Sequence, residues 1–302
     1  MSILITGGSG LLGSEINLAQ GLKPSSDELN LLDYCALKRY IQLNNVTKII
    51  HCAAKVGGVH ANHTKMFDFF DVNLQMNTNI LQACKEFNLN NSIFILSTCV
   101  MPAKTDLPYT EESLHEGEPH FTNYGYAYAK RMLEVGSRSL KQQYGINTIC
   151  LIPCNLYGPK DNYNLESGHV IPSLIHKCFT AKQSNQDFIV WGTGMPMREF
   201  VYVKDFARII ESIVNTDHEY SPMIISSDTD YSIRDLVSLI SNQLKFNGKI
   251  IYDLSKPDGI YKKTTSNKVF KKYFPNFQMT KMEEGLTETI DYFVSKYPNI
   301  RL

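Results

Sequence analysis

Tyr126 and Lys130 stand four apart in "NYGYAYAK", one helical turn, so a helix would project both side chains from one face. A phenol, with an ordinary pKa of about 10, is a poor acid-base catalyst at neutral pH until a nearby cation lowers that value, and Lys130 can supply the cation. Tyr124 and Tyr128 flank the pair, but only Tyr126 has the spacing to Lys130. Ser97 closes the apolar run of "ILSTCVMP" and could hydrogen-bond the same substrate oxygen. Cys99 follows two residues later. In an extended chain residues i and i+2 project to the same side, so Ser97 and Cys99 are expected to face one spot. Each feature alone has a plainer explanation: an amphipathic surface pair for Tyr-x-x-x-Lys, a small core side chain for the cysteine. The chemistry rests on their combination.

Gly7, Gly10 and Gly13 form G-x-x-G-x-x-G directly after the apolar run "SILIT" (2–6). Such a loop lets the chain turn tightly and lets a pyrophosphate approach the backbone N–H groups of a helix N-terminus, which predicts a dinucleotide site with a helix following the loop. From Gly13 to Asp27 only thirteen residues intervene. That leaves a shortened helix and a stub of second strand around Pro24. Counting about twenty residues from the loop to an acid that would read the adenosine ribose reaches Asp33. "DELNLLD" reads better, however, as the turn after the second strand and the start of the next helix.

Positioning these groups needs strands that end where the loops begin. Short apolar runs at 2–6, 47–53, 92–98, 147–153, 188–192 and 223–227 read as buried strands. Helical patterns lie between them at 33–44, 65–88, 126–144, 169–182, 204–215, 232–244 and 281–295. This alternation predicts an α/β fold, a Rossmann-type doubly wound parallel sheet. The rhythm loosens after residue 164, so 1–164 is expected to form the dinucleotide-binding domain. Residues 165–302 are expected to form a smaller α/β substrate domain, some of its segments returning to the first.

The 302 residues are 43% hydrophobic and 20% charged, an ordinary globular composition. Thirty basic residues balance thirty acidic ones with no concentrated stretch, which argues against nucleic acid or an acidic membrane surface as partner. No apolar run approaches the roughly 20 residues of a membrane span, and "MSILITGGSG" lacks a basic leader region. A cytoplasmic protein with seven reduced cysteines is expected. Cys150 and Cys154 lack a second cluster, and His60 and His63 in "HANH" lack further ligands, so no metal is expected.

Long ordered blocks then carry a family resemblance: "DELNLLD", "AAKVGG", "STC" with Pro102, "YAYAK", "NLYGP" with "DN", "GHVIPSL", "WGTGMPMREF" and "SKPDG". Across nearly its whole length the sequence resembles the extended short-chain dehydrogenase/reductases and, among them, the GDP-L-fucose synthase family of epimerase-reductases. The resemblance implies that Ser97, Tyr126 and Lys130 are the reductase triad. It further implies that Cys99 and His169 move protons at the carbons flanking a keto group. Lys177, Trp191, Arg198 and Asp258 fall where that family binds the nucleotide-sugar. The dinucleotide is implied to lie on Gly7, Gly10, Leu11, Leu12 and Gly13, on Ile95, Leu96 and Ser97, on Lys130, on Pro153, Asn155 and Leu156, and beside His169. A 4-keto group acidifies the hydrogens on C3 and C5, and a thiol and an imidazole have ordinary pKa values near enough to neutrality to exchange them. The resemblance also implies a homodimer formed through two long helices, 65–88 and 126–144.

Departures from the family pattern qualify the cofactor and the sugar. Ser9 stands where the family usually carries a base, and the second strand region is about seven residues shorter. Both features help the family read the 2′-phosphate of NADP. Lys23 can substitute, so NADP(H) is the expected cofactor and NAD(H) its rival. Met101 replaces a tyrosine, and "IYKK" replaces the family's Pro-Arg-Lys, which leaves room for another 4-keto sugar such as a heptose. The expected reaction is NADPH-dependent reduction of a GDP-linked 4-keto sugar at C4 with 3,5-epimerisation. The alternative is a reductase alone, fed by a separate epimerase. A 4,6-dehydratase would place Asp-Glu where Cys99-Val100 stands, and a redox-sensing binding protein would not need the intact triad.

Overall fold

The computed structural model describes residues 2–216, 221–256 and 258–302. The side chains of Val59 and His60, and Pro257 of "SKPDG", lie outside the described residues. The first half runs β1 (Ser2–Thr6), β2 (Gly21–Leu22), α1 (Tyr34–Leu43), β3 (Val46–His51), α2 (Val59–Thr64), α3 (Met66–Phe87), β4 (Ser92–Ile95), α4 (Tyr124–Tyr144) and β5 (Thr148–Pro153). It continues through β6 (Asn155–Tyr157), α5 (Val170–Ser184), β7 (Phe188–Trp191), β8 (Met197–Tyr202), α6 (Val203–Ile213), β9 (Met223–Ile225) and β10 (Asp230–Ser232). The last elements are α7 (Ile233–Gln243), β11 (Ile250–Asp253), β12 (Lys262–Lys263), α8 (Lys268–Tyr273) and α9 (Met282–Lys296).

Six strands pair in parallel in the order β2-β1-β3-β4-β5-β9. Their sequences are almost continuously apolar because both faces are covered. Leu4, Ile49, Phe94 and Ile152 pack with Leu37 of α1, Ile80 of α3 and Leu133 of α4. Their neighbours Ile3, Ile5, Ile50, Ile93 and Leu151 point to the opposite face, toward Phe206, Ile209 and Ile210 of α6. Thus β9 and α6, from beyond residue 164, join the first sheet. A second sheet is built from β10, β8 and β12 with β6 also on β8, and β7 pairs with β11.

The expected helix after the glycine loop is absent. Residues 7–15 form successive turns, with a single helical bond from the Ser14 amide to the Gly10 carbonyl at 3.1 Å. The reason is length. Residues 14–20 must carry the chain back to the level of Ile3, which pairs with Gly21, and also around the sheet edge. A helix rising only about 1.5 Å per residue would use them all before the edge was reached. Ile16, fully buried, pins this descending segment to the α6 face. Asp33 caps α1 by accepting from the Ala36 amide at 3.1 Å, so it is a helix start and not a ribose reader.

A buried polar chain ties four elements together beneath the carboxyl ends of the strands. The Ala53 amide donates to Thr6 Oγ1 (3.2 Å), which lies 2.8 Å from His51 Nδ1. His51 Nε2 lies 3.1 Å from Asn77 Oδ1, and Asn77 Nδ2 donates to the Ala129 carbonyl at 2.9 Å. Because Asn77 must spend its amide on Ala129, its oxygen accepts, and His51 carries its proton on Nε2. Burial, reinforced by the Lys130 ammonium, drives the His51 pKa from 6.5 down to about 3. Between those values the unfolded chain holds one more proton than the folded one, so stability is lost as pH falls. We expect urea denaturation to show stability falling by up to about 1.4 kcal/mol per pH unit from pH 6 to pH 4. His51→Gln should remove that component of the slope.

Candidate active site

The carboxyl ends of β1, β3, β4 and β5 open together on one side of the sheet, the usual location for a ligand in a doubly wound fold. Gly7 follows β1 with φ +68°, and a Cβ there would lie 2.8 Å from the Ala53 amide nitrogen. A Cβ on Gly13 would lie 2.3 Å from the Gly7 carbonyl oxygen. The loop therefore folds back on itself as only glycines permit. The amides of Leu11, Leu12 and Gly13 find no acceptor among the described residues. A cradle of free amides fits a diphosphate even without the rest of a helix behind it. Lys23 follows the β2 stub, its Nζ 3.1 Å from the Ser14 carbonyl oxygen, so a base does stand at the end of the second strand.

Ser97 lies just past β4, but the chain does not stay extended. Residues Thr98–Val100 form a 3-10 turn that Ser97 caps, its Oγ accepting from the Cys99 amide at 3.3 Å. The i, i+2 argument for their shared direction therefore fails. A serine cap over a tight turn instead brings the Cys99 amide onto the Ser97 hydroxyl. Tyr126 and Lys130 sit on the inner side of α4, whereas Tyr124 and Tyr128 pair with each other at 4.7 Å on another side. Lys130 is only 2% exposed and donates to the Ile95 carbonyl at 2.8 Å. Burial draws its pKa down to about 8, against the opposing influence of Cys52 and Cys150. Burial and the Cys99 sulfur raise the Tyr126 phenol above its ordinary value. The ammonium is directed at the strand end and does not depress the phenol here.

His169 occupies the N-cap position of α5 yet makes no side-chain cap bond. Its Nδ1 lies 3.6 Å from Asp161 Oδ1, with the imidazole 51% exposed and the carboxylate 3% exposed. The Asp161 carboxylate raises the imidazole pKa above 6.5. Two turns further along α5, Lys177 Nζ sits 3.9 Å from the ring of Trp191, which is 53% exposed and is also faced by Lys256. The lone tryptophan is thus a surface platform and not core. Asp258 takes the Thr193 amide and hydroxyl on its two oxygens, at 2.9 and 2.6 Å, and so holds the turn after Trp191. Arg198, on β8, is half-buried, donates from Nη1 to the Met197 carbonyl at 2.7 Å and lies within electrostatic reach of Tyr109, Asp230 and Cys99. Pro153 ends β5, and Asn155 and Leu156 open β6, with Asn155 Nδ2 donating to the Glu199 carbonyl at 2.8 Å.

Residues 3–225 match the model of the NAD dependent epimerase/dehydratase family. The chain belongs to that family. Within it, the chain is 40% identical over 311 residues to the GDP-L-fucose synthase of Dictyostelium discoideum, covering 99% of this chain and 97% of that one. It is 33% identical to the GDP-L-colitose synthase of Yersinia pseudotuberculosis, covering 99% and 100%. A crystal structure of a GDP-L-fucose synthetase from Naegleria fowleri bound to NADP superposes with TM-score 0.93 at 39% identity, covering 100% of this chain and 95% of that one.

Asp161 is the site residue that sequence reasoning missed. It stands inside the "DN" block, eight positions before His169, but nothing in linear spacing links two residues across an irregular loop. Asp161→Asn should lower the His169 pKa, read by NMR titration of the imidazole protons. An unchanged titration would remove Asp161 as its electrostatic partner.

Proposed function

We propose that this member of the epimerase/dehydratase family converts a GDP-linked 4-keto-6-deoxy sugar into the corresponding GDP-L-sugar, by 3,5-epimerisation and NADPH-dependent reduction at C4, as a GDP-L-fucose synthase does. The observation that carries it is that Ser97 and Cys99 share one capped turn after β4, with Tyr126 and Arg198 both within electrostatic reach of Cys99 and Lys130 bonded to the Ile95 carbonyl at the same strand end. Relatives named for GDP-L-fucose and GDP-L-colitose support both the nucleotide and the sugar class. The NADP bound to the Naegleria protein, together with Lys23 after β2, supports NADP(H) over NAD(H).

Bound NADPH would supply the hydride to C4. Tyr126 would deliver the proton to the C4 oxygen, with Ser97 holding that oxygen and Lys130 keeping a positive charge close by. Before that step, Cys99 and His169 would remove and return protons at C3 and C5 through an enolate stabilised by the same hydrogen bonds. Asp161 favours the protonated form of His169, the form that would return a proton to one face of the ring. The guanidinium of Arg198 suits the GDP diphosphate through its planar fork, and Lys177 with Trp191 offers a charge and a ring face nearby.

Among the described residues no helix is long and apolar enough to cross a membrane. All seven cysteines are free thiols, which supports a reducing compartment such as the cytoplasm. Phe67, Met132 and Val135 on the adjacent helices α3 and α4 are exposed, which supports a homodimer through those helices.

Incubating GDP-4-keto-6-deoxymannose in D₂O without cofactor should place deuterium at C3 and C5, and Cys99→Ser should slow that uptake at least about tenfold. Absence of uptake by the wild type would leave a reductase alone. In turnover with NADPH, Tyr126→Phe should lower kcat by about 10²-fold or more while leaving the thermal midpoint unchanged. The Lys130 cation is present below pH 8 and lost above it, so kcat/KM for reduction should fall as pH rises through about 8. A profile flat to pH 10 would contradict that role.

A further inference from the structure

We propose that Arg301 binds the diphosphate of the dinucleotide and replaces the charge of the helix missing after the glycine loop. This deepens the NADP reading above and rests on it. In a full glycine-loop helix the aligned peptide dipoles place about half a positive charge behind the phosphate-binding amides. Here only one helical turn survives, and the amides of Leu11 and Leu12 are left as donors without that field. A diphosphate brought to this cradle needs positive charge from somewhere else.

Arg301 is placed to give it. Its Nη1 lies 4.0 Å from the point where a Cβ on Gly10 would stand. The backbone there is fixed: the Arg301 carbonyl accepts from the Tyr163 amide at 2.9 Å, and Ile300 packs against the main apolar core. Among the described residues no carboxylate forms an ion pair with its guanidinium. The nearby Glu15 is engaged with Lys160, at 3.8 Å. Among the described residues the guanidinium makes one bond, a long one of 3.4 Å from Nη1 to the Lys160 carbonyl. Four of its five N–H donors are thus uncommitted, and a planar fork of donors matches phosphate oxygens two at a time. Its charge also reaches His169, where it opposes the effect of Asp161. Arg301 therefore lies beside the glycine loop and within electrostatic reach of His169. Lys23 lies against Gly8 instead, just after β2, the place for a 2′-phosphate.

The test is direct binding, read by the fluorescence of NADPH and by calorimetry for NADH and GDP, on wild type, Arg301→Ala and Arg301→Lys. Arg301→Ala should raise the Kd for NADPH and for NADH alike by about tenfold or more, since both carry the diphosphate. GDP affinity and thermal midpoint should be unchanged. Arg301→Lys should fall in between, keeping the charge and losing the fork. Unchanged NADPH binding by Arg301→Ala would overturn the proposal. Loss confined to NADPH would assign Arg301 to the 2′-phosphate instead and overturn it as stated. Equal weakening of NADPH and GDP with a lowered thermal midpoint would show only a structural clasp. Wild type that binds neither dinucleotide would sink the NADP reading itself.

Discussion

The polar chain from Thr6 through His51 and Asn77 to the Ala129 carbonyl is the constraint on which the reactive end of the fold depends. Each of its groups is buried, so each must be satisfied by another, and only one arrangement of protons does this. It locks the ends of β1 and β3, from which the glycine loop and Ala53 depart, against α3 and against the turn of α4 that carries Lys130. Lys130 then reaches inward to the Ile95 carbonyl beside Ser97. A shift in this chain would move the loop, the serine and the lysine relative to one another.

The other half of the site is held differently. His169, Lys177 and Trp191 are at least partly exposed and are positioned by charges and ring faces, not by close-packed burial. Asp161, buried itself, holds His169, because a buried carboxylate draws a nearby imidazole toward protonation.

The shortened connection after Gly13 shows how a fold can lose an element while keeping what the element presented. One helical turn preserves the free amides, Ile16 covers the sheet face, and Arg301 brings charge from a distant stretch of the chain.

By itself the sequence determined the main strands of the first sheet and the long helices, because apolar periodicity and turn residues act locally, but it did not mark β8 (Met197–Tyr202) or β11 (Ile250–Asp253) as strands. Every strand and long helix expected at 2–6, 92–98, 65–88 or 281–295 is present within a few residues. It also singled out Tyr126 over Tyr124 and Tyr128, since helical spacing to Lys130 is a local rule, and it made the connection after Gly13 legible as unusually short. Tertiary structure alone decided the rest. Whether thirteen residues could hold a helix depended on the distance back to Ile3. The approach of Cys99 to Ser97 depended on a capped turn and not on an extended strand. The pairing of Asp161 with His169 and the placement of Arg301 over Gly10 join residues whose separation along the chain carries no periodic signal. Contacts of that kind arise only when the sheet brings its strand ends together, which is why the site's partners were visible as residue types but not as neighbours.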